Sequence, residues 1–220
     1  MVHALVVAAV LGHGPAWTEG EAAVEDWLRG NRAVGVSVAV VEDGAEWTAQ
    51  AGFADREAEK PVQATTLFRL ASISKAVCAT LTMGFVQRRM LDLDARVSRS
   101  VPGFADERGA ITLRRVLSHT AGIRSYRAGR PDVFHRPLST EEALGLIRHS
   151  ALRFEPGTAY GYSTHAFVLP VAAMERVAKL PYREILRLGV SRWGMDSLDV
   201  EISTEYRAVL CGLSSVLIST

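Results

Sequence analysis

Ala71-Ser72-Ile73-Ser74-Lys75-Ala76-Val77-Cys78-Ala79-Thr80-Leu81-Thr82-Met83-Gly84-Phe85-Val86-Gln87 is the longest apolar stretch of the chain, and Lys75 is its only charge. No proline interrupts it, so it reads as one helix. A helix that is apolar nearly all round belongs inside a protein. A lysine carried in with it loses hydration, which favours the neutral amine and makes it a base. Ser72 stands three residues earlier, and an i, i+3 spacing puts hydroxyl and amine on one helix face. A nucleophile beside its activator is one reading. The other is that Ser72 caps the helix while Lys75 reaches outward along its aliphatic stem.

Composition bears on that choice. Lys60, Lys75 and Lys179 are the only lysines among 25 basic residues. Arginine stays protonated in proteins, so a lysine kept inside an apolar helix points to an amine that can lose its proton. The tetrapeptide alone does not decide between the two readings, because S-x-x-K is short and common.

Working outward, 220 residues with 48% hydrophobic and 22% charged content describe an ordinary globular protein of one large domain or two small ones. The net charge of +1, with acids and bases interspersed, points to neither nucleic acid nor an acidic membrane surface as a partner. Cys78 and Cys211 make no disulfide framework and read as small core residues. His3, His13, His119, His135, His149 and His165 show no metal-ligand spacing. Neither metal nor cofactor is expected.

Before the central stretch, Glu19 to Arg29 predicts an amphipathic helix behind Thr18 as N-cap, with Val24, Trp27 and Leu28 on its apolar side. Val34, Val36, Val38 and Val40 alternate with smaller residues, Asp43-Gly44 is a tight turn, and Trp47, Ala49 and Ala51 alternate again. Together these predict a β-hairpin. Arg56 to Thr66, with Pro61, reads as a loop. After the stretch, Asp92 and Asp94 read as turn caps or ion-pair partners, Ile111 to Leu117 and Glu141 to His149 as short helices, and His165 to Lys179 as a long one. Ala4 to Leu11 has the length of a signal peptide but lacks a basic start and a good cleavage site. It is a shortened export signal or a disordered tail: extracytoplasmic in the first case, cytoplasmic in the second. No run is long enough to span a bilayer.

Three segments taken together carry a resemblance. Phe68-Arg69-Leu70-Ala71-Ser72-Ile73-Ser74-Lys75, then Leu117-Ser118-His119-Thr120-Ala121-Gly122-Ile123, then Pro156-Gly157-Thr158 with Tyr160, Tyr162 and Ser163 resemble the serine β-lactamase-related family. That family includes class C β-lactamases, D-alanyl-D-alanine carboxypeptidases, related esterases and D-aminopeptidases, and a mitochondrial β-lactamase-like protease. Gly194-Met195-Asp196 and Cys211-Gly212-Leu213-Ser214-Ser215 look like its later turn segments.

The resemblance implies an α/β (α+β) fold of the β-lactamase/transpeptidase type: an antiparallel sheet flanked by helices, plus a mostly helical lobe. Residues 1–17 would be leader or tail and 18–220 one domain lacking its late strands. Within it, 18–70 would hold a helix and the hairpin, 71–200 the helical lobe, and 201–220 the return toward the sheet. The resemblance also implies that Ser72 is acylated, that Lys75 takes its proton, and that Tyr162, in the family's Y-x-N motif, relays a proton to the leaving group. Tyr162 is preferred to Tyr160 because the Tyr-Ser pair directly precedes a helix; an aromatic packing turn is the other reading of these tyrosines. Ser163 and Thr164 would meet substrate, and the Ser72 amide would form half of an oxyanion hole.

Two departures follow. Thr164 stands where the motif has asparagine, which leans away from efficient β-lactamase action and is similar to the mitochondrial branch. The late K-T-G or H-x-G motif is not reached by Thr220. Two functions are therefore expected. One is a serine hydrolase acting on small-molecule or peptide-like amides and esters. The other is a truncated, non-catalytic relative that binds a peptide-like ligand or a partner chain, with an uncovered sheet edge inviting self-association.

Overall fold

A computed structural model of the chain describes residues 17–104, 111–125, 133–134, 138–196, 198–200, 208–209 and 216–218. The apolar run Ala4–Leu11, Cys211, His135 and most of 201–220 lie outside the described residues. The chain forms two compact units, residues 1–70 with 217–220 and residues 71–216.

In the first unit, helix α1 spans Trp17–Gly30. It starts earlier than the sequence predicts, so Thr18 lies inside it and is not its N-cap. Val24, Trp27 and Leu28 are its half-buried side, and α1 packs on the hairpin's second strand. The hairpin joins β1, Gly35–Glu42, to β2, Ala45–Asp55, in a register that pairs Val38 with Ala49 and Glu42 with Ala45. Its two turn residues, Asp43 and Gly44, both have positive φ (51° and 83°). Such a turn follows the right-handed twist of the strands, and Asp-Gly adopts it readily. The expected loop 56–66 contains a short strand, β3 at Lys60–Pro61, which pairs with β2 and completes the order β1-β2-β3. Proline is tolerated there because an edge strand leaves its missing N–H unneeded. A further strand, β4 at Phe68–Arg69, pairs antiparallel with Leu217 and Ile218.

The second unit is mostly helical. A 3-10 turn at Ala71–Ile73 feeds α2, Ser74–Gln87. Ser74, Lys75, Cys78, Leu81, Thr82 and Phe85 are buried, while Ala76, Thr80, Met83 and Gln87 form an exposed stripe. The helix is therefore half-sunk, not enclosed all round as its composition predicts; on its outer stripe Ala76 is small and Thr80 and Gln87 are polar, and only Met83 exposes a large apolar side chain. Asp94 takes a two-pronged ion pair from Arg114, at 2.6 and 2.8 Å, and Asp92 accepts the Asp94 amide, the turn role read from sequence. Helix α3 is Leu113–Leu117, capped by Thr112, and α4 is Thr140–Arg148. Ser139 and Glu142 form a reciprocal capping box on α4, satisfying two of its free amides.

The predicted long helix from His165 begins as a 3-10 turn and becomes α5, Val168–Ala178. Lys179 ends it with φ +54°. Helix α6, Tyr182–Ser191, follows Pro181. Helix α5 is the hub of this unit, packing against α2, α3, α4 and α6, with Leu169, Ala173 and Met174 fully buried. Two further short strands, Val133–Phe134 and Ala208–Val209, pair antiparallel. No described helix is long and apolar enough to cross a membrane.

Candidate active site

Ser72 stands on the 3-10 turn just ahead of α2, exposed and directly after Ala71, whose φ is +45°. Neither of the bland roles open to this pair is observed. Ile73, not Ser72, is the N-cap of α2, with no side-chain cap bond, and Lys75 is 7% exposed, so it does not reach out to solvent. Lys75 Nζ donates to Ser72 Oγ at 3.2 Å. From ninety residues away Tyr162 Oη donates to the same oxygen at 2.9 Å. Ser72 Oγ is thus held between an amine and a phenol, each able to pass a proton. Lys75 Nζ also lies 5.2 Å from the Tyr162 ring and 5.9 Å from that of Phe167.

The segments that resembled family motifs are joined by main-chain bonds. Gly161 N–H donates to His119 O at 2.8 Å, Gly157 N–H to Thr120 O at 2.8 Å, and Arg153 N–H to Gly122 O at 2.7 Å. Ser163 Oγ donates to Arg124 O, and Thr164 N–H donates to Ser125 Oγ. This zipper between 119–125 and 153–164 carries Tyr162 to Ser72. Ser163 and Thr164 are 2% and 3% exposed, and Ser163 Oγ also accepts the Ala166 amide. Both are buried, and their hydrogen bonds to Arg124, Ser125 and Ala166 brace the segment that carries the tyrosine.

Burial alone would raise the Tyr162 phenol. Hydrogen bonds with Lys75 and Ser72, and the Lys75 charge, outweigh it and hold the phenol below its ordinary value of 10.0. Cys78, one turn beyond Lys75, is fully buried, which pushes its thiol up to about 12. It is no nucleophile at ordinary pH.

His119, one of six lone histidines in the sequence, is the member of this centre that spacing did not reveal. Its ring lies 4.4 Å from that of Tyr162, 5.3 Å from Phe167 and 5.9 Å from Tyr160. Burial, then the Lys75 charge, lowers it below the usual histidine value. Its place between Ser118 and Thr120 in a motif-like segment was the available signal. Among the described residues no group of three or more His, Cys, Asp or Glu could hold a metal ion.

The profile described as Beta-lactamase matches residues 21–203. Esterase EstB of Burkholderia gladioli is 34% identical over 178 residues, which is 73% of this chain and 45% of that protein. The serine beta-lactamase-like protein LACTB, mitochondrial, of Homo sapiens is 37% identical over 100 residues, 43% of this chain and 18% of that one. The chain thus spans less than half of these curated relatives. Among solved structures, EstCE1, a hydrolase with promiscuous acyltransferase activity, superposes with a TM-score of 0.73 at 30% identity, covering 84% of this chain and 53% of that one.

Proposed function

This chain belongs to the beta-lactamase family, and from that premise we propose that Ser72, Lys75 and Tyr162 form the centre of a serine hydrolase working through an acyl-enzyme. The observation that carries the proposal is the single oxygen shared by two proton carriers, Lys75 Nζ at 3.2 Å and Tyr162 Oη at 2.9 Å. Ser72 Oγ attacks the carbonyl carbon and its proton passes to Lys75. The tetrahedral adduct collapses as Tyr162 hands a proton to the departing oxygen or nitrogen, itself recharged from Lys75. Water then enters by the same relay in reverse, and the acid leaves with Ser72 restored. The backbone amide of Ser72, at the N-terminal end of α2, is the donor at hand for the developing oxyanion.

Esters are the proposed substrate class. Two relatives at 30% identity or more carry esterase or hydrolase names, and Thr164, in place of the motif's asparagine, provides no side-chain amide to orient a substrate amide. A fluorophosphonate probe is expected to phosphonylate Ser72, with mass spectrometry of the labelled peptide as the measurement. Label on a different serine, or undiminished label in Ser72→Ala, would sink the assignment; a chain that never takes label would support a ligand-binding relative.

A further inference from the structure

His119 holds an unusual backbone, φ +58°, in the left-handed region where a non-glycine residue is uncommon. That conformation turns its carbonyl toward the Gly161 amide while its ring lies over Tyr162, 4.4 Å away and tilted by 33°. The ring is held in plane by one more bond, the Ser163 amide donating to Nδ1 at 3.2 Å. A backbone amide can only donate, so Nδ1 is the bare nitrogen and the proton of the neutral ring sits on Nε2.

We propose that neutral His119 is a positioning residue for Tyr162, its ring stacked on the phenol and its Nδ1 anchored to the Ser163 amide, so that protonating His119 disengages Tyr162 from Ser72. The proposal rests on the acyl-enzyme reading above and assigns that centre its low-pH control. Protonation places an N–H on Nδ1 facing the Ser163 N–H, donor against donor, and adds a cation near Lys75. Lys75, on α2, is the charged group acting on the ring; Tyr162, lying over it, and Tyr160, edge-on to it, are the tyrosines of the loop before α5 that face it, and Phe167 packs beside it as a neutral ring. Burial and the Lys75 charge both disfavour the imidazolium, keeping the ring neutral to lower pH than a free histidine.

The sign follows. Between the lowered folded value and the ordinary 6.5, the unfolded chain binds more protons at this site, so folding stability rises with pH through that window and the contribution is complete above it.

The test compares the 220-residue chain with His119→Asn and His119→Phe. Asparagine tolerates the left-handed backbone and can offer an acceptor to the Ser163 amide, but it has no ring and does not titrate. Phenylalanine keeps a ring and loses the acceptor. Nitrogen-correlated NMR of the wild-type histidines is expected to show His119 as the Nε2–H tautomer, titrating below the ordinary value. The rate of Ser72 phosphonylation is expected to fall at least ~10-fold in both variants, since small displacements of reacting groups cost this much or more. The acid limb of its pH profile that tracks His119 should vanish in His119→Asn. The Tyr162 titration, followed by tyrosinate absorbance against a Tyr162→Phe blank, should move in both variants.

Wild-type rate and pH profile in both variants, with an unmoved Tyr162 titration, would overturn the proposal, as would the Nδ1–H tautomer. Failure of wild-type Ser72 to take label would instead defeat the acyl-enzyme reading, and the tautomer and Tyr162 titration would still judge His119 as the support of the phenol.

Discussion

Lys75→Arg is expected to slow phosphonylation of Ser72 by at least ~10²-fold, the lower end of what a positioned proton acceptor contributes. The substitution keeps the positive charge and lengthens the side chain only modestly. What it removes is the ability to become neutral, because a guanidinium does not release its proton in proteins. Lys75 Nζ sits 3.2 Å from Ser72 Oγ at 7% exposure, 5.2 Å from the Tyr162 ring and 5.9 Å from the Phe167 ring. A guanidinium forced into that space also disturbs packing, so Lys75→Met serves as the companion: it fills the pocket without charge and should be equally slow. Thermal melts of both variants separate lost chemistry from lost fold. Near wild-type labelling in the arginine variant would make Lys75 a structural residue and leave Ser72 in need of another base.

Gly122→Ala is expected to destabilise the chain by more than ~3 kcal/mol, beyond the ordinary range for a single added methyl. Two costs combine. Gly122 has φ +74°, where any residue with a Cβ is disfavoured by roughly 1–2 kcal/mol. A Cβ there would also run into the Phe154 carbonyl oxygen, which is main chain and cannot rotate away. Relief would part the Arg153 N–H···O Gly122 bond, 2.7 Å long, with a net loss of about 1 kcal/mol. Urea unfolding read by linear extrapolation gives the number. An unshifted midpoint would mean that the 153–157 segment moves aside freely, and with it the view that this glycine fixes the approach of the two segments. The same displacement should carry Tyr162 away from Ser72, so labelling and stability should fall together.

How far this centre could be read from sequence depends on the reach of each feature. The Ser72–Lys75 pair is local: an i, i+3 spacing holds in any helical turn, and it survives even though the first residues are 3-10 and not α-helical. The hairpin is local too, since Asp43-Gly44 and the flanking alternation need nothing from the rest of the chain. Tyr162 required resemblance, because nothing in its own surroundings says that ninety residues of chain return it to Ser72. What escaped was set by tertiary contact. Pro61 made 56–66 look like loop because an edge strand can do without its N–H. That Ser163 and Thr164, directly after an exposed tyrosine, are buried and bonded to the Arg124 carbonyl, the Ser125 hydroxyl and the Ala166 amide is likewise set by contacts distant in sequence. His119 looked like any lone histidine until the fold set its ring against three aromatics. Helix α6 left no mark in the sequence reading, and the outward stripe of α2 is visible only once its neighbours are in place.

Cys78 lends the helix that bears Lys75 and follows Ser72 a clock of its own. Its thiol has no exposed surface and little tendency to ionise, so a reagent in solution meets it only during the moments when the helix lifts from its bed. Alkylation at this sulfur, resolved from Cys211 by peptide mass, therefore counts openings, not accessibility. If Ser72 carries an acyl group as proposed, the interval between openings bounds how long that group stays shielded by an intact site. Probe labelling and helix breathing can thus be timed on one molecule, one at Ser72 and the other at the cysteine six residues on.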